Sequence, residues 1–233
     1  MKSFVRRLIV AAAYCGWLAG CGPAGEERPP APDAGLPPPR DDSAGVRQPP
    51  ATPGSDDEQR PGTRQIAISI EGTQDTIEAR LVRAPADFTL RFSTYVPEDM
   101  SPALERSEAG EALRVTAEFG GVRNEQAYIE VLIHPPGTAR DGALDALRAF
   151  LRALHPDIEI QEQADRYSWA EAAFSFRYPD GGGSSFIGSA ALGRHGDRWF
   201  RLLRNYPGDY GDGMGPRVGV ILEGWRWADG SRL

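Results

Sequence analysis

Residues able to do chemistry are few in this sequence, and they are scattered. The three histidines, His134, His155 and His195, are too far apart for an H-E-x-x-H or related metal-binding spacing. His195-Gly196-Asp197 places two metal-ligand types close together, but the triplet reads as an ordinary exposed turn. Asp209 and Asp212 in the run DYGDG match the opening of a calcium loop without its later ligands, and Asp212 is better placed as a helix cap. No G-x-S-x-G elbow surrounds Ser184, Ser185 or Ser189. Gly181, Gly182 and Gly183 could cradle an anion on their amides, but strand patterns on either side make them a hairpin tip. Glu105, Glu108 and Glu111 read as a solvated acidic stretch in a loop, with nothing to fix a carboxylate pair at a working distance. The single lysine is Lys2, which excludes a Schiff-base or phosphate-loop lysine from the body of the chain. The sequence therefore predicts no catalytic residue, no metal site and no cofactor.

One constellation points to binding. Trp199, Tyr206, Tyr210, Trp225 and Trp227 crowd the carboxyl end, interleaved with Arg198, Arg201, Arg204 and Arg226. Aromatic rings beside guanidinium groups are the composition of protein-binding hot spots and of sugar-stacking surfaces. Trp199, Arg201, Tyr206, Tyr210, Trp225 and Trp227 are thus the candidate binding patch. The competing reading packs the tryptophans into a terminal strand and pairs the arginines with the many acids.

The elements that would position these residues follow from periodicity. Composition is that of a globular chain, 40% hydrophobic and 25% charged over 233 residues, which suggests one domain with appendages. Ile66, Ile68 and Ile70, then Ile77, Ala79 and Leu81, alternate with polar neighbours across a Gly72-Thr73 turn. The same alternation marks Phe88, Leu90 and Phe92, then Leu113 to Phe119, then Ala127 to Ile133. Each predicts a half-buried antiparallel strand. The period then changes. Leu144, Leu147, Leu151 and Leu154 fall at helical spacing, with Thr138 placed to cap and His155-Pro156 to stop, which predicts a helix over about 139–155. Strands resume over 158–163, 168–178, 185–193 and 198–205. A second helix over about 213–222 leads into a last short strand at 224–227. Strands segregated from a few helices predict an α+β fold, an antiparallel sheet sandwich with two main helices.

That order resembles the PsbP-like α/β sandwich, a fold found in bacterial lipoproteins. The resemblance rests on GDRWFRLLRNYP followed by an acidic-to-proline loop, on PRVGVILEGWRW as helix into terminal strand, and on the FTLRF and YIEVLI strands. It covers about residues 65–233. It implies a binding or scaffolding module, and it carries over no functional residue.

The amino end reads as an address. Lys2, Arg6 and Arg7 precede an uncharged apolar run, Leu8 to Leu18, too short to span a bilayer, which takes ~20 apolar residues. Leu18-Ala19-Gly20-Cys21 then resembles the bacterial lipobox. The resemblance implies a signal peptide over 1–20, cut after Gly20, and a lipidated Cys21 as the membrane anchor. Cys15 lies in the part removed. Gly22, in place of an aspartate, implies sorting to the outer membrane, with the domain in the periplasm. Each buried methylene of an acyl chain contributes about 0.8 kcal/mol, so two or three chains hold durably.

Residues 22–64 contain Leu36 and Val46 as their only large aliphatics, no aromatic, and much of the proline. Such a segment cannot offset its ordering entropy and is expected to act as a disordered tether. It would span roughly 35–40 Å as a coil and about 130 Å when extended. The domain is then 65–233. A net charge of −7 argues against nucleic acid as a partner. The partners expected are the membrane, through Cys21, and an envelope protein bound by a non-catalytic domain, as an accessory or immunity-type factor. A small-ligand or glycan binder is the alternative, and a hydrolase built from scattered residues a third reading.

Overall fold

The computed structural model describes residues 59–70, 72–163 and 166–233. Gly20, Cys21 and most of the expected tether lie outside the described residues. The chain order is β1 (Thr63–Ile70), β2 (Thr73–Arg83), β3 (Phe92–Pro97), β4 (Met100–Ser107), β5 (Gly110–Ala117), β6 (Asn124–Ile133), α1 (Arg140–Leu154), β7 (Glu159–Glu162), β8 (Ala170–Pro179), β9 (Ser185–His195), β10 (Arg198–Pro207), α2 (Gly211–Gly224) and β11 (Arg226–Trp227). The strands form two antiparallel sheets. One runs β1-β2-β3-β11 and the other β4-β5-β6-β10-β9-β8-β7. The fold is α+β with two helices, as the alternation and the leucine stripe predict.

Three apolar clusters hold it. The largest joins Phe92, Val96 and Met100 to Leu113, Val115, Ile129, Val131, Phe200 and Leu202 on one face of the large sheet. Met214, Val218 and Ile221 of α2 complete it, together with Trp225 and Trp227. On the other face of that sheet, Leu144, Leu147 and Leu151 of α1 meet Phe174, Phe176, Leu192 and Leu203. Each such side chain contributes about 1.5–3 kcal/mol by leaving water. Ile68, Ile77, Ala79 and Tyr95 of the small sheet cover Val220 of α2. Among the described residues no helix is long and apolar enough to cross a membrane.

Several local expectations change. Met100–Ser107 is a strand, not a loop. It lies at the edge of the large sheet, where Pro102 withholds no needed hydrogen bond and the outer half faces water, so alternation is weak. Phe88 and Leu90 precede β3 rather than form it, yet Phe88 is still buried. Thr138 does not cap α1: its hydroxyl donates to the Pro135 carbonyl at 2.8 Å, and Ala139 is the N-cap. Asp212 lies inside the first turn of α2 and makes no side-chain cap bond, the N-cap being Tyr210. Its charge still favours that end of the helix dipole. Gly110, which opens β5, has φ +137°, and a Cβ there would overlap the Ile133 carbonyl. Finally, the folded body starts before Gln65. Thr63 opens β1, and the Arg60 guanidinium donates to Ser93 Oγ at 2.5 Å and to the Gly224 carbonyl at 2.7 Å. Polar anchoring of this kind leaves no hydrophobic pattern to read.

Candidate functional site

The aromatic patch is not a surface. β10 pairs with β6 and β9 along its edges, and both of its faces are covered, one by the cluster under α1 and the other by the core shared with α2 and the small sheet. Alternation then sends Trp199 and Arg201 toward α1 and Tyr206 toward the inter-sheet core. All three are buried. Trp225 is 0% exposed and Trp227 1%. Trp225 stacks on Phe92 at 4.3 Å, and Trp227 meets Phe92 edge-on at 6.5 Å. Tyr210, partly buried, stacks on Phe119 at 5.4 Å. The candidate binding patch is therefore corrected: five of its six residues are core, and they point to opposite sides of one sheet. Interleaved arginine made the run look amphipathic, but this strand has an apolar cluster packed on each face.

The other candidates are spread over separate parts of the fold. Asp180 Oδ1 accepts the N–H groups of Gly182 (2.7 Å) and Ser184 (3.1 Å), so a carboxylate of the chain already occupies the glycine turn. Ser189 Oγ accepts from Arg204 Nε at 2.9 Å. His195 is not an exposed turn residue. Its ring stacks on Trp227 at 4.5 Å with Nε2 3.5 Å from Asp229, while Asp197 pairs with Arg198. Burial lowers the His195 pKa and the Asp229 charge opposes that shift. Arg106 and Glu111 sit opposite each other across β4 and β5, so Glu105, one residue along, faces the other way. Glu111 accepts from the Thr89 amide and hydroxyl, and Glu108 lies in the hairpin turn. Asp209 occupies a single 3-10 turn before α2. Among the described residues no group of three or more His, Cys, Asp or Glu is placed to hold a metal ion.

Two polar assemblies escape a reading of the sequence. The first lies on the face of β5, β6 and β10 toward α1. Arg201 Nη2 donates to Glu130 Oε1 at 2.7 Å, and both residues are buried. Arg114 reaches the other oxygen of Glu130 at 3.7 Å and lies 3.5 Å over the Tyr128 ring. Burial raises the Tyr128 pKa to about 12. His134 sits nearby with Nε2 buried and without a partner. Burial, seconded by the Arg201 charge, lowers its pKa to about 4. These residues occupy the polar positions of their strands, so alternation assigns them to solvent.

The second is a groove of about 510 Å³ where β1, β3, α2 and the carboxyl-terminal segment meet. Arg60, Arg64, Arg226 and Arg232 line it, with Ile66, Tyr95 and Val220. The guanidinium carbons of Arg60 and Arg64 lie 4.6 Å and 5.2 Å from the Tyr95 ring centre. The Tyr95 hydroxyl donates to the Pro61 carbonyl at 3.0 Å, which closes one end. Arg226 Nη1 donates to the carbonyls of Glu223 and Trp225, at the negative end of α2. Among the described residues no carboxylate lies within ion-pair distance of Arg64, Arg226 or Arg232. Burial lowers the Arg226 pKa, and the like charges of Arg232 and Arg60 lower it further. The pair Arg60 and Arg64 is far in sequence from the pair Arg226 and Arg232, so only the fold shows the cluster.

Compared with known proteins, the chain matches no family model and no curated sequence.

Proposed function

We propose that this protein is an envelope lipoprotein whose folded body is a non-catalytic binding module. Cys21, acylated after cleavage behind Gly20, anchors it to the outer membrane, and the proline-rich stretch that follows holds the body off the bilayer in the periplasm. The observation that carries the reading is the order of the leader: Lys2, Arg6 and Arg7, an uncharged run to Leu18, then Ala19-Gly20-Cys21. Resemblance of the following body to the PsbP-like sandwich supports a scaffolding role, with an envelope protein as partner. Such a module needs a rigid frame with an exposed recognition surface, and two sheets sharing one core supply the frame.

The test is replacement of Cys21 by serine. Metabolic labelling with palmitate and membrane fractionation should show loss of acylation and release of the protein from envelopes. A Cys21→Ser protein that still sediments with membranes, or a wild-type protein that carries no fatty acid, overturns the anchor. Crosslinking in cells followed by mass spectrometry should then recover one envelope protein reproducibly.

A second reading, a small-ligand-binding lipoprotein, is favoured by one observation, the arginine groove beside Tyr95. Its glycan form has lost its support, because the tryptophans that would stack on a sugar are buried. The hydrolase reading has gained nothing, since Ser189 and Glu111, two of the residues considered for it, are engaged by Arg204 and Thr89.

A further inference from the structure

We propose that the groove between β1, β3 and the end of α2 is a binding site for a compact phosphate group, held by Arg64, Arg226 and Arg232 against the wall formed by Arg60 and Tyr95. The inference deepens the small-ligand reading above and rests on it.

Three observations support a ligand rather than a merely basic surface. First, the positive charge is concentrated where the chain as a whole is negative. Net charge is −7, yet four guanidinium groups line one groove against a single carboxylate, that of Glu223. Several surface arginines pair with acids: Arg106 with Asp87, Arg123 with Glu125, Arg140 with Glu171 and Arg177 with Glu159. Others, such as Arg91 and Arg194, stand without an ion pair among the described residues, so it is the gathering of four guanidinium groups that marks the groove. Arg64, Arg226 and Arg232 have no such counter-ion among the described residues. Second, the groove is preorganised. Arg60 is fixed by Ser93 and Gly224, and Arg226 by two helix-end carbonyls, so part of the side-chain entropy of binding is already spent in folding. Third, the volume of about 510 Å³ falls within the range of small-molecule sites.

The ligand class follows from the shape of the charge. Guanidinium groups offer paired N–H donors matched to phosphate and carboxylate oxygens. Here two of them converge on a single ring, Tyr95, rather than spacing out along a strand. Convergent cations suit one dense dianion, whereas an acidic peptide would be met by a row. The apolar lining from Ile66 and Val220 leaves room for a short carbon skeleton bearing the phosphate. A free phosphomonoester and the monoester headgroup of phosphatidic acid share that chemistry.

The experiment is calorimetric titration of the full-length protein in neutral detergent with glycerol phosphate, a dianionic monoester. Saturable one-to-one binding is expected, weakened at least tenfold in Arg64→Ala and in Arg232→Ala and only partly in Arg64→Lys. Both positions are exposed, so these variants keep the thermal midpoint of the parent. Arg177→Ala, a surface arginine that pairs with Glu159 on the β7–β8 edge, should bind as wild type. A parallel titration with short-chain phosphatidic acid, a lipid monoester, separates the sources: tighter binding of glycerol phosphate assigns a free metabolite, and tighter binding of phosphatidic acid assigns a lipid headgroup. Tighter binding of the diester phosphatidylglycerol than of either overturns the dianion site. Absence of saturable heat, equal binding by the arginine variants, or tighter arginine-dependent binding of a glutamate-rich peptide overturns the proposal. None of these outcomes touches acylation at Cys21 or recovery of an envelope partner, so the two failures are distinguishable.

Discussion

Replacing His134 by leucine should change how stability depends on pH more than it changes stability itself. The imidazole is 5% exposed, its Nε2 has no partner, and the Arg201 guanidinium adds an unfavourable charge, so the fold accepts only the neutral ring. Folded, the group takes a proton near pH 4, whereas a free histidine does so near 6.5. Between those values the unfolded chain binds a proton that the folded chain refuses. The stability at stake is therefore intact above pH 6.5, falls as pH drops through the window, and is gone below pH 4. At pH 5 the loss is about 2 kcal/mol, the linkage expected for a shift of this size. Urea unfolding followed by tryptophan fluorescence measures it directly, because Trp199, Trp225 and Trp227 are buried in the native state. Carboxylates also titrate below pH 5, so the quantity to read is the difference between wild type and His134→Leu. That difference should grow by about 2 kcal/mol in favour of the variant between pH 7 and pH 5. Parallel pH profiles would show that His134 is protonated in the folded protein and that its surroundings have been misread.

Trp225→Ala should lower stability by about 3–5 kcal/mol, the range for emptying a buried aromatic site, and thermal unfolding should show it. A variant that keeps its melting temperature and loses only a partner would return Trp225 to the surface. Glu130→Gln leaves the Arg201 charge buried without its counter-ion and should cost about 3–5 kcal/mol, whereas pairing Glu130→Met with Arg201→Leu should recover much of the loss. A double-mutant cycle in urea measures that coupling, and simple additivity would refute it. Gly110→Ala should destabilise by more than ~1 kcal/mol, since both the positive φ and the Ile133 carbonyl oppose a Cβ, and a neutral effect in the same assay would contradict that backbone path.

What could be read from the residues depended on whether a local period reported burial on one face. Leu144, Leu147 and Leu151 stand on one side of α1 because a surface helix buries a single stripe, so the helix was legible to within a few residues. The same logic served β6, where Ile129, Val131 and Ile133 alternate toward the inter-sheet core. It failed at β4, an edge strand with only its first half half-buried, and at Arg60, which joins the body by hydrogen bonds and a cation–π contact with Tyr95.

The sequence by itself determined the α+β class, most of the strands and both helices. Those are local properties: hydrophobic period, turn residues and charge order act over one or two dozen positions. Only the tertiary structure decided which side of a strand is hidden and which distant residues meet. Packing of α1 on one face of the large sheet removed Trp199 and Arg201 from the surface. Chain reversal brought Arg60 and Arg64 beside Arg226 and Arg232. Like charges gathered from opposite ends of a domain leave no pattern along the chain, because their proximity is set by the packing of sheets and helices between them.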